Sequence, residues 1–286
     1  RLNAVLPPLS ADGTLICLRT KRRSAFTLGQ LVEAGTVAPG LDSVLAALIE
    51  TRASCLITGA TGTGKTTLLA ALLGLVSATE RIVCIEEAAE LRPDHPHVLH
   101  LQERGDNVQG AGAVPMSALV RTALRMRPDR IVLGECRGPE VRDVLTALNT
   151  GHEGGWATLH ANSPADVPAR LTALGALAGL DETAVAAQAV SALDAVIHLR
   201  RTRGALAVEA VPGRGAGSGR GPVSPSARRY VASVGMLHRD EGGHLMCLEA
   251  LLLGSDGAVR AGPSADALAR RIGTEPVTAV LTGGSR

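Results

Sequence analysis

Apolar runs of strand length alternate with amphipathic segments of helix length along most of the chain. The strand-length runs lie at 53–57, 82–85, 98–101, 131–133, 156–159 and 195–199. The helical patterns between them lie at 67–76, 116–126, 139–148, 164–178 and 181–193. This alternation predicts an α/β domain with a largely parallel sheet. Ligands of such sheets bind at the carboxyl ends of the strands, so the polar residues that follow each run are the candidates for chemistry.

The first part of the chain has a different pattern. Residues 1–20 contain two short strand patterns, which are too few to form a core. We interpret residues 1–20 as the C-terminal remnant of a preceding domain, 21–40 as a linker and 41–286 as the main domain. The chain begins at Arg1 rather than Met, so we expect it to be an excerpt of a longer protein. Residues 26–50 are mostly helical by period, with a break at 38–40. The last predicted elements are strands at 230–237 and 245–252 and a helix at 264–272.

Residues 211–227 are dominated by Gly, Pro, Ser and Arg, a composition that predicts a flexible loop. The arginines in and around this loop make the region basic, namely Arg200, Arg201, Arg203, Arg214, Arg220, Arg228 and Arg229. We interpret it as a solvated loop, and an anionic partner stays open as the alternative.

Composition narrows the class of protein. Hydrophobic residues make up 45% of the chain and aromatic residues only 1%, which predicts a core of Ala, Val, Leu and Ile. The net charge of +2 is too small to indicate a nucleic-acid or membrane partner by itself. No uncharged apolar window approaches the roughly 18 residues that span a bilayer, and no signal peptide is visible. The five cysteines are dispersed without a C-x-x-C pair, which indicates reduced core thiols in a cytosolic protein.

A glycine-rich turn follows the first of these strands and precedes a helix. Its sequence, GATGTGKT at 59–66, has the pattern G-x-x-x-x-G-K-[ST] in the strand-loop-helix setting that a phosphate-binding loop requires. The glycines let successive N–H groups point at a β-phosphate, Lys65 would reach the β- and γ-phosphates, and the Thr66 hydroxyl would hold Mg²⁺. The predicted nucleotide-binding residues are Gly59, Thr61, Gly62, Thr63, Gly64, Lys65, Thr66 and Thr67.

Two of the apolar strands end in acidic residues. Glu86 follows the strand at 82–85, and Glu135 follows the strand at 131–133. Beside a phosphate loop, such carboxylates bind Mg²⁺ directly or through water, or accept the proton of the attacking water. Both are therefore candidates for catalysis and for the metal, together with Thr66.

Two histidines bracket the strand at 156–159. A zinc site is disfavoured, because no third His or Cys lies at ligand spacing around His152 and His160. We expect instead that the imidazoles sense the γ-phosphate, since imidazole can hydrogen-bond a phosphate oxygen. For His160 a purely structural role in the core stays open as the alternative.

These motifs together resemble those of the type II/type IV secretion ATPases, in the branch of tight-adherence pilus and conjugal-transfer proteins. The resemblance rests on five segments in the order typical of the family: GATGTGKTT (59–67), IEEAAEL (85–91), LQERGDNVQGAG (101–112), ALRMRPDRIVLGECRG (123–138) and TGHEGGWATLHANSP (150–164). It implies a RecA-like P-loop NTPase domain preceded by a small α+β domain, and a homo-oligomeric, hexameric ring. It also implies a cytoplasmic protein, peripheral at the inner face of the membrane, that uses ATP and Mg²⁺ and contacts inner-membrane platform proteins.

The resemblance also assigns roles to individual residues. It matches Lys65 and Thr66 to the phosphate loop, Glu86 to the acidic box and Glu135 to the second Walker motif. It matches His152 and His160 to the histidine box, and Arg104 and Arg127 to arginines that reach nucleotide bound by an adjacent subunit. Two positions depart from the pattern, with Glu87 where Asp is usual and Glu103 where a small hydroxyl residue is usual.

The motifs leave three classes of function to distinguish. The leading hypothesis is an ATP-driven motor for secretion or pilus assembly. A nucleic-acid translocase or helicase of conjugal DNA transfer is the alternative, but it predicts aromatic stacking platforms, and the chain has only Phe26, Trp156 and Tyr230. A non-catalytic nucleotide-binding scaffold would be expected to lack Lys65 or Glu135.

Overall fold

The computed structural model describes residues 2–18, 25–106, 112–202 and 228–283. The strands are β1 (Leu2–Val5), β2 (Leu15–Leu18), β3 (Cys55–Thr58), β4 (Ile82–Glu86), β5 (Val98–Gln102), β6 (Arg130–Leu133), β7 (Trp156–Leu159), β8 (Ala195–Arg201), β9 (Arg229–Arg239), β10 (Leu245–Leu253) and β11 (Val259–Ala261). The helices are α1 (Leu28–Glu33), α2 (Leu41–Glu50), α3 (Lys65–Leu73), α4 (Met116–Leu124), α5 (Glu140–Asn149), α6 (Val167–Leu177), α7 (Glu182–Ala192), α8 (Ala265–Ile272) and α9 (Thr274–Gly283).

Nine of the strands form one sheet in the order β11-β10-β9-β8-β3-β7-β6-β4-β5. Neighbouring strands run parallel from β8 to β5, and β9, β10 and β11 extend the sheet with antiparallel pairs. The prediction of an α/β fold with a largely parallel sheet is therefore confirmed. Because β3, β4, β6 and β7 are parallel, the residues that follow them lie along the same edge of the sheet.

Helices cover both faces of this sheet. One apolar core joins the sheet to α1, α2, α3, α8 and α9, and a second joins the opposite face to α4, α5, α6 and α7. The alternation of side chains along a strand explains the division, since Cys55 and Ile57 belong to the first core and Leu56 to the second. The cores are aliphatic, as the composition predicts, and Trp156 is the one tryptophan and is buried.

Strands β1 and β2 form a separate two-stranded antiparallel sheet, in which Leu2 pairs with Leu18 and Val5 with Leu15. All eight positions are exposed, so the hairpin contributes nothing to either core. The assignment of residues 1–20 to a preceding domain stays a prediction. The described part of the predicted linker, from residue 25, contains α1, whose Leu28 and Leu31 are buried in the same core as α2 and α3.

Two elements of the structure have no counterpart in the sequence prediction, β11 and α9. Gly273 separates α9 from α8 with a positive φ of 94°, a conformation that ends one helix before the next begins. The predicted helix at 164–178 begins with a single 3-10 turn at Pro164–Asp166 and continues as α6. The predicted loop at 211–227 lies outside the described residues. Among those described, no helix is long and apolar enough to cross a membrane.

Candidate functional site

The glycine-rich turn between β3 and α3 adopts a conformation that glycine alone permits without strain. Gly59, Gly62 and Gly64 have φ values of 146°, 76° and 100°. A Cβ atom at Gly59 would lie 2.5 Å from the carbonyl oxygen of Leu199 and 2.7 Å from Oγ1 of Thr63. The turn therefore packs tightly against β8, and it leads directly into the N-terminus of α3, where backbone N–H groups bind anions.

Lys65 is the first residue of α3 and lies inside this turn. Its Nζ atom donates hydrogen bonds to the carbonyl oxygens of Gly59, at 2.9 Å, and Ala60, at 3.1 Å. Only 7% of the residue is exposed. Burial lowers the pKa of the Lys65 ammonium, and the charge of Glu135 opposes that shift. The loop thus holds a buried cation where a phosphate would bind.

His160 links Lys65 to Glu135. Nδ1 of His160 lies 3.2 Å from Nζ of Lys65, and Nε2 lies 2.8 Å from Oε1 of Glu135. Oε1 of Glu135 has no hydrogen-bond partner among the described residues, so the Nε2 contact is electrostatic rather than a hydrogen bond. Because an ammonium group only donates, Nδ1 must accept, and the proton of the neutral ring is on Nε2, facing the carboxylate. Burial and the charge of Lys65 lower the pKa of His160, which favours this neutral form.

Arg137 is a residue of the site that the sequence analysis missed. Its Nε and Nη2 atoms lie 2.6 and 2.7 Å from the two oxygens of Glu135, and Nη1 donates to Glu87 at 2.6 Å. Glu135 contributes most to raising the pKa of the guanidinium. One feature of the sequence could have indicated Arg137, namely its position two residues after Glu135 in the segment GECRG. A continuous chain of polar contacts therefore runs from Glu87 through Arg137, Glu135 and His160 to Lys65.

Glu86 is buried at the end of β4, with 4% of the residue exposed. Its Oε2 atom accepts hydrogen bonds from the backbone N–H groups of Glu90 and Leu91 at 2.8 and 2.9 Å, so the carboxylate fixes the turn after β4. Burial raises the pKa of Glu86. Gly134 makes room for it, because a Cβ atom there would lie 2.7 Å from Cγ of Glu86.

Two cavities meet at Glu135. The phosphate-loop cavity, of about 620 Å³, is lined by residues 61–68, His160 and the segment that contains α1. The acidic cavity, of about 340 Å³, is lined by Thr66, Arg137 and six carboxylates, namely Glu86, Glu87, Glu90, Glu103, Glu135 and Glu140. Within the described residues, no three His, Cys, Asp or Glu side chains are arranged to hold a metal on their own. The hydroxyl of Thr66 and the carboxylates of Glu135 and Glu86 are hard oxygen donors, which suit Mg²⁺ bound together with a phosphate.

The two departures from the family pattern both have local partners. Glu87 reaches Arg137, as described above. Glu103 follows β5, and its side chain lies at the start of α4. There its Oε1 atom accepts a hydrogen bond from the backbone N–H of Met116 at 3.3 Å. A carboxylate at a helix N-terminus is favourable there.

Three of the predicted site residues lie apart from this cluster. His152 precedes β7 and Arg127 precedes β6, so both lie at the amino end of the sheet, opposite the phosphate loop. Arg127 is exposed and has a φ of 51°. Arg104 is also exposed, and its Nε atom donates to the carbonyl oxygen of Gly112 at 2.5 Å. Neither arginine lines the phosphate-loop cavity of its own chain.

Two further arginines, one from β8 and one from β9, lie next to the glycines of the phosphate loop. Nε of Arg229 donates to the carbonyl oxygen of Gly62 at 2.8 Å, and its side chain passes 3.5 Å from the position of a Cβ on Gly64. Nη1 of Arg201 lies 3.6 Å from the corresponding position on Gly62. The sequence analysis recognised both arginines as part of a basic region without placing them at the loop.

Comparisons with known proteins are consistent with this site. The model of the type II/IV secretion system protein family matches residues 1–218. A putative conjugal transfer protein of Mycobacterium tuberculosis is 54% identical over 203 residues, which cover 71% of this chain and 58% of that protein. The type IV secretion system protein PtlH of Bordetella pertussis is 36% identical over 198 residues, with 60% and 57% covered. The chain thus spans less than two thirds of the length of these relatives.

Solved structures share the fold. The pilus retraction motor PilT with bound ADP is 25% identical, with a TM-score of 0.53 over 71% of this chain and 55% of that chain. The ATPase DotB of Legionella pneumophila is 20% identical, with a TM-score of 0.53 over 100% of this chain and 65% of that chain. The sheet described here is therefore a RecA-like one. The family match covers more than half of the chain, and the chain belongs to the type II/IV secretion system protein family.

Proposed function

We propose that this chain hydrolyses ATP in a Mg²⁺-dependent reaction and forms the motor domain of a secretion or pilus-assembly machine. The observation that carries the proposal is the contact chain Lys65–His160–Glu135, with distances of 3.2 and 2.8 Å. It connects a phosphate-binding lysine, which follows β3, to a carboxylate that follows β6, two strands away in the sheet. This arrangement can position a nucleophilic water beside a γ-phosphate.

Each residue then has a defined task. The loop N–H groups and Lys65 bind the phosphates, and Thr66, Glu135 and Glu86 lie where Mg²⁺ would be held, directly or through water. The metal neutralises charge on the phosphate oxygens when it is bound. Glu135 orients the attacking water and accepts its proton. His160 contacts the γ-phosphate or its surrounding water and connects hydrolysis to the segment that precedes α6.

The motor is proposed to act as a homo-oligomeric, hexameric ring at the cytoplasmic face of the membrane, against inner-membrane platform proteins. Family membership and the names of relatives, which describe conjugal transfer and type IV secretion, support this setting. Arg104 and Arg127 support the ring because they are exposed and lie away from the nucleotide cavity of their own chain. An arginine of one subunit would complete the nucleotide site of its neighbour.

A nucleic-acid translocase is not favoured. Single-stranded nucleic acid is bound on exposed aromatic platforms, and the chain contains three aromatic residues of the Phe, Trp and Tyr types. Trp156 is buried in the core, Tyr230 is half-buried, and Phe26 lines the phosphate-loop cavity. None of these three described residues therefore offers an exposed ring on which bases could stack.

The proposal is tested on the full-length protein by measuring phosphate release and nucleotide affinity together. Lys65→Ala is expected to abolish turnover and to weaken ATP binding, because it removes the charge that faces the β- and γ-phosphates. Glu135→Gln keeps the shape of the side chain, so ATP should remain bound while turnover falls about 100-fold or more. Turnover of the wild type should increase with a platform protein and not with single-stranded DNA.

The control is Arg121→Gln, which removes an exposed arginine paired with Asp143 outside the site. It should keep wild-type turnover. A wild-type protein without Mg²⁺-dependent hydrolysis, or a Glu135→Gln variant with normal turnover, would remove the proposed mechanism. Stimulation by DNA alone would favour the translocase.

A further inference from the structure

Arg137 lies at the boundary between the phosphate-loop cavity and the acidic cavity and lines both. Its guanidinium forms a two-pronged ion pair with Glu135 and a second ion pair with Glu87, all at 2.6 to 2.7 Å. The backbone beneath it is fixed, because the buried carboxylate of Glu140 accepts hydrogen bonds from the N–H groups of Arg137, at 2.7 Å, and Gly138, at 2.8 Å. The side chain itself is 60% exposed, so it can move while its base stays in place.

Arg137 lies among negative charges that it partly neutralises. Six glutamates line the acidic cavity, and two of them, Glu87 and Glu135, have their carboxylates on this one guanidinium. Lys65 is a second cation near Glu135, and it is connected to that carboxylate through His160. Without Arg137 the two carboxylates would repel each other and attract a divalent cation.

We infer that Arg137 is the resident counter-cation of Glu135 and Glu87, which holds both carboxylates in place and competes with Mg²⁺ for them until nucleotide arrives. Phosphate oxygens supply the additional negative charge that lets the metal displace the guanidinium. Arg137 is then drawn toward the phosphates that the loop holds. The inference rests on the proposed function, because it assigns the order in which metal and nucleotide enter that same site. It makes Arg137 a positioning residue for Glu135.

The inference also explains why a glutamate is suited to position 87. The carboxylate of Glu87 reaches Nη1 of Arg137 across the end of the sheet, from the strand next to the one that delivers Glu135. An aspartate is one methylene shorter and would leave this contact too long for a hydrogen bond, since useful N–H···O distances end near about 3.2 Å. The structure therefore assigns Glu87 to Arg137 as its partner in the nucleotide-free site.

The test measures metal binding without catalysis, using Mn²⁺ as the probe and electron paramagnetic resonance on nucleotide-free, full-length protein. Arg137→Gln should bind Mn²⁺ about tenfold more tightly than the wild type, because a positive charge next to the dication is removed. Arg137→Lys keeps the charge and should change the affinity by less than about threefold. In turnover assays, the Mg²⁺ concentration for half-maximal ATP hydrolysis should fall in Arg137→Gln.

Arg121→Gln is a matched control, because Arg121 is also 60% exposed and pairs with a carboxylate, Asp143, that is 22% exposed. It should leave Mn²⁺ affinity unchanged. A second comparison sets the double variant Glu87→Gln/Arg137→Gln against Glu87→Gln. Without the Glu87 carboxylate, the loss of Arg137 leaves less negative charge uncompensated. Removing Arg137 should again tighten Mn²⁺ binding. Unchanged affinity in either folded comparison overturns the inference. Since this readout needs no hydrolysis, an inactive wild type would count against the proposed function alone.

Discussion

Nζ of Lys65 and Nδ1 of His160 lie 3.2 Å apart, although the two residues are separated by 95 positions in the chain. The contact requires a neutral imidazole, because a second cation at this distance would repel the ammonium. Lys65 and burial both act to lower the pKa of His160, and they outweigh the opposite effect of Glu135. The protonation state of one ring thus determines whether the polar chain across the site is intact.

The first prediction is an acid limit on turnover that depends on His160. With its pKa below the ordinary value of 6.5, the ring is neutral at pH 7 and becomes protonated only as the pH falls through the lowered pKa. Turnover should therefore be constant near neutral pH and decline only as the pH falls through this lowered pKa. His160→Gln has an amide that can accept from Lys65 and does not titrate, so its residual turnover should lack this acid limb.

The measurement is kcat as a function of pH for both proteins at saturating nucleotide. His244→Gln is the control, since His244 is exposed and paired with Asp240 in a turn between β9 and β10. It should keep the wild-type profile. An identical acid limb in His160→Gln and the wild type would show that another group is responsible.

The second prediction concerns the space beside Glu86. Gly134→Ala would place a Cβ atom 2.7 Å from Cγ of a glutamate that is buried and held by two backbone N–H groups. We expect a loss of about 1–3 kcal/mol in the free energy of unfolding and a fall in turnover, because Glu86 must move. Urea unfolding followed by the fluorescence of Trp156, the one tryptophan, measures the first effect.

Gly105→Ala is the comparison for that variant. Among the described residues other than its two chain neighbours, none has an atom within 4 Å of a Cβ at Gly105, which is exposed. Its stability should match the wild type within about 0.5 kcal/mol. Equal stability of the two variants would mean that the end of β6 has more room than the structure indicates.

The third prediction is that Arg104 acts on the nucleotide of a neighbouring subunit. Mixing inactive Lys65→Ala subunits with inactive Arg104→Ala subunits should restore part of the turnover, because some interfaces then combine an intact phosphate loop with an intact arginine. Mixtures of Lys65→Ala with Glu135→Gln should stay inactive, since both residues belong to one chain's site. The assignment is refuted if rings verified to contain both Lys65→Ala and Arg104→Ala subunits also stay inactive. Arg127→Ala is tested in the same way.

The fourth prediction concerns stability rather than catalysis. Arg130 is 2% exposed and donates to Glu80 through Nε at 2.7 Å and Nη2 at 3.1 Å. Glu80→Gln leaves this buried guanidinium without its counter-charge, so we expect a loss of about 3 kcal/mol at pH 7. Burial acts to raise the pKa of Glu80, but Arg130 and Arg52 outweigh it, and the net shift is downward. The contribution is therefore present above the unfolded-state pKa and lost as the pH falls through the folded-state value.

Urea unfolding of wild type and Glu80→Gln at several pH values checks both the size and the sign. Asp256→Asn removes an exposed ion pair with Arg260 and should leave the stability close to that of the wild type, because solvent screens such a pair. A Glu80→Gln variant no less stable than Asp256→Asn would mean that Arg130 finds another partner.

Features that depend on neighbours in the chain were predictable from the sequence alone. The glycine-rich turn needs only the residues from Gly59 to Thr66, because positive φ angles and a following helix are local properties. Strand alternation likewise predicted which stretches would be buried and that the residues following parallel strands would meet. For this reason Glu135 and His160 were found without a structure. The same logic separates His152 from His160, since the four-residue strand β7 lies between them. The sequence analysis did not apply it when it expected both imidazoles at the γ-phosphate.

Contacts between distant parts of the chain were decided by the tertiary structure. Arg137 and Glu87 are 50 residues apart, and Arg229 and Gly62 are 167 residues apart. The hydrophobic period states which face of a strand is buried, but it contains no information about which strands are neighbours. Only the order β9-β8-β3-β7-β6-β4 places Arg229 beside the loop and joins Glu87 to Glu135 through one guanidinium. Side chains at the sheet edge meet according to strand position rather than sequence distance.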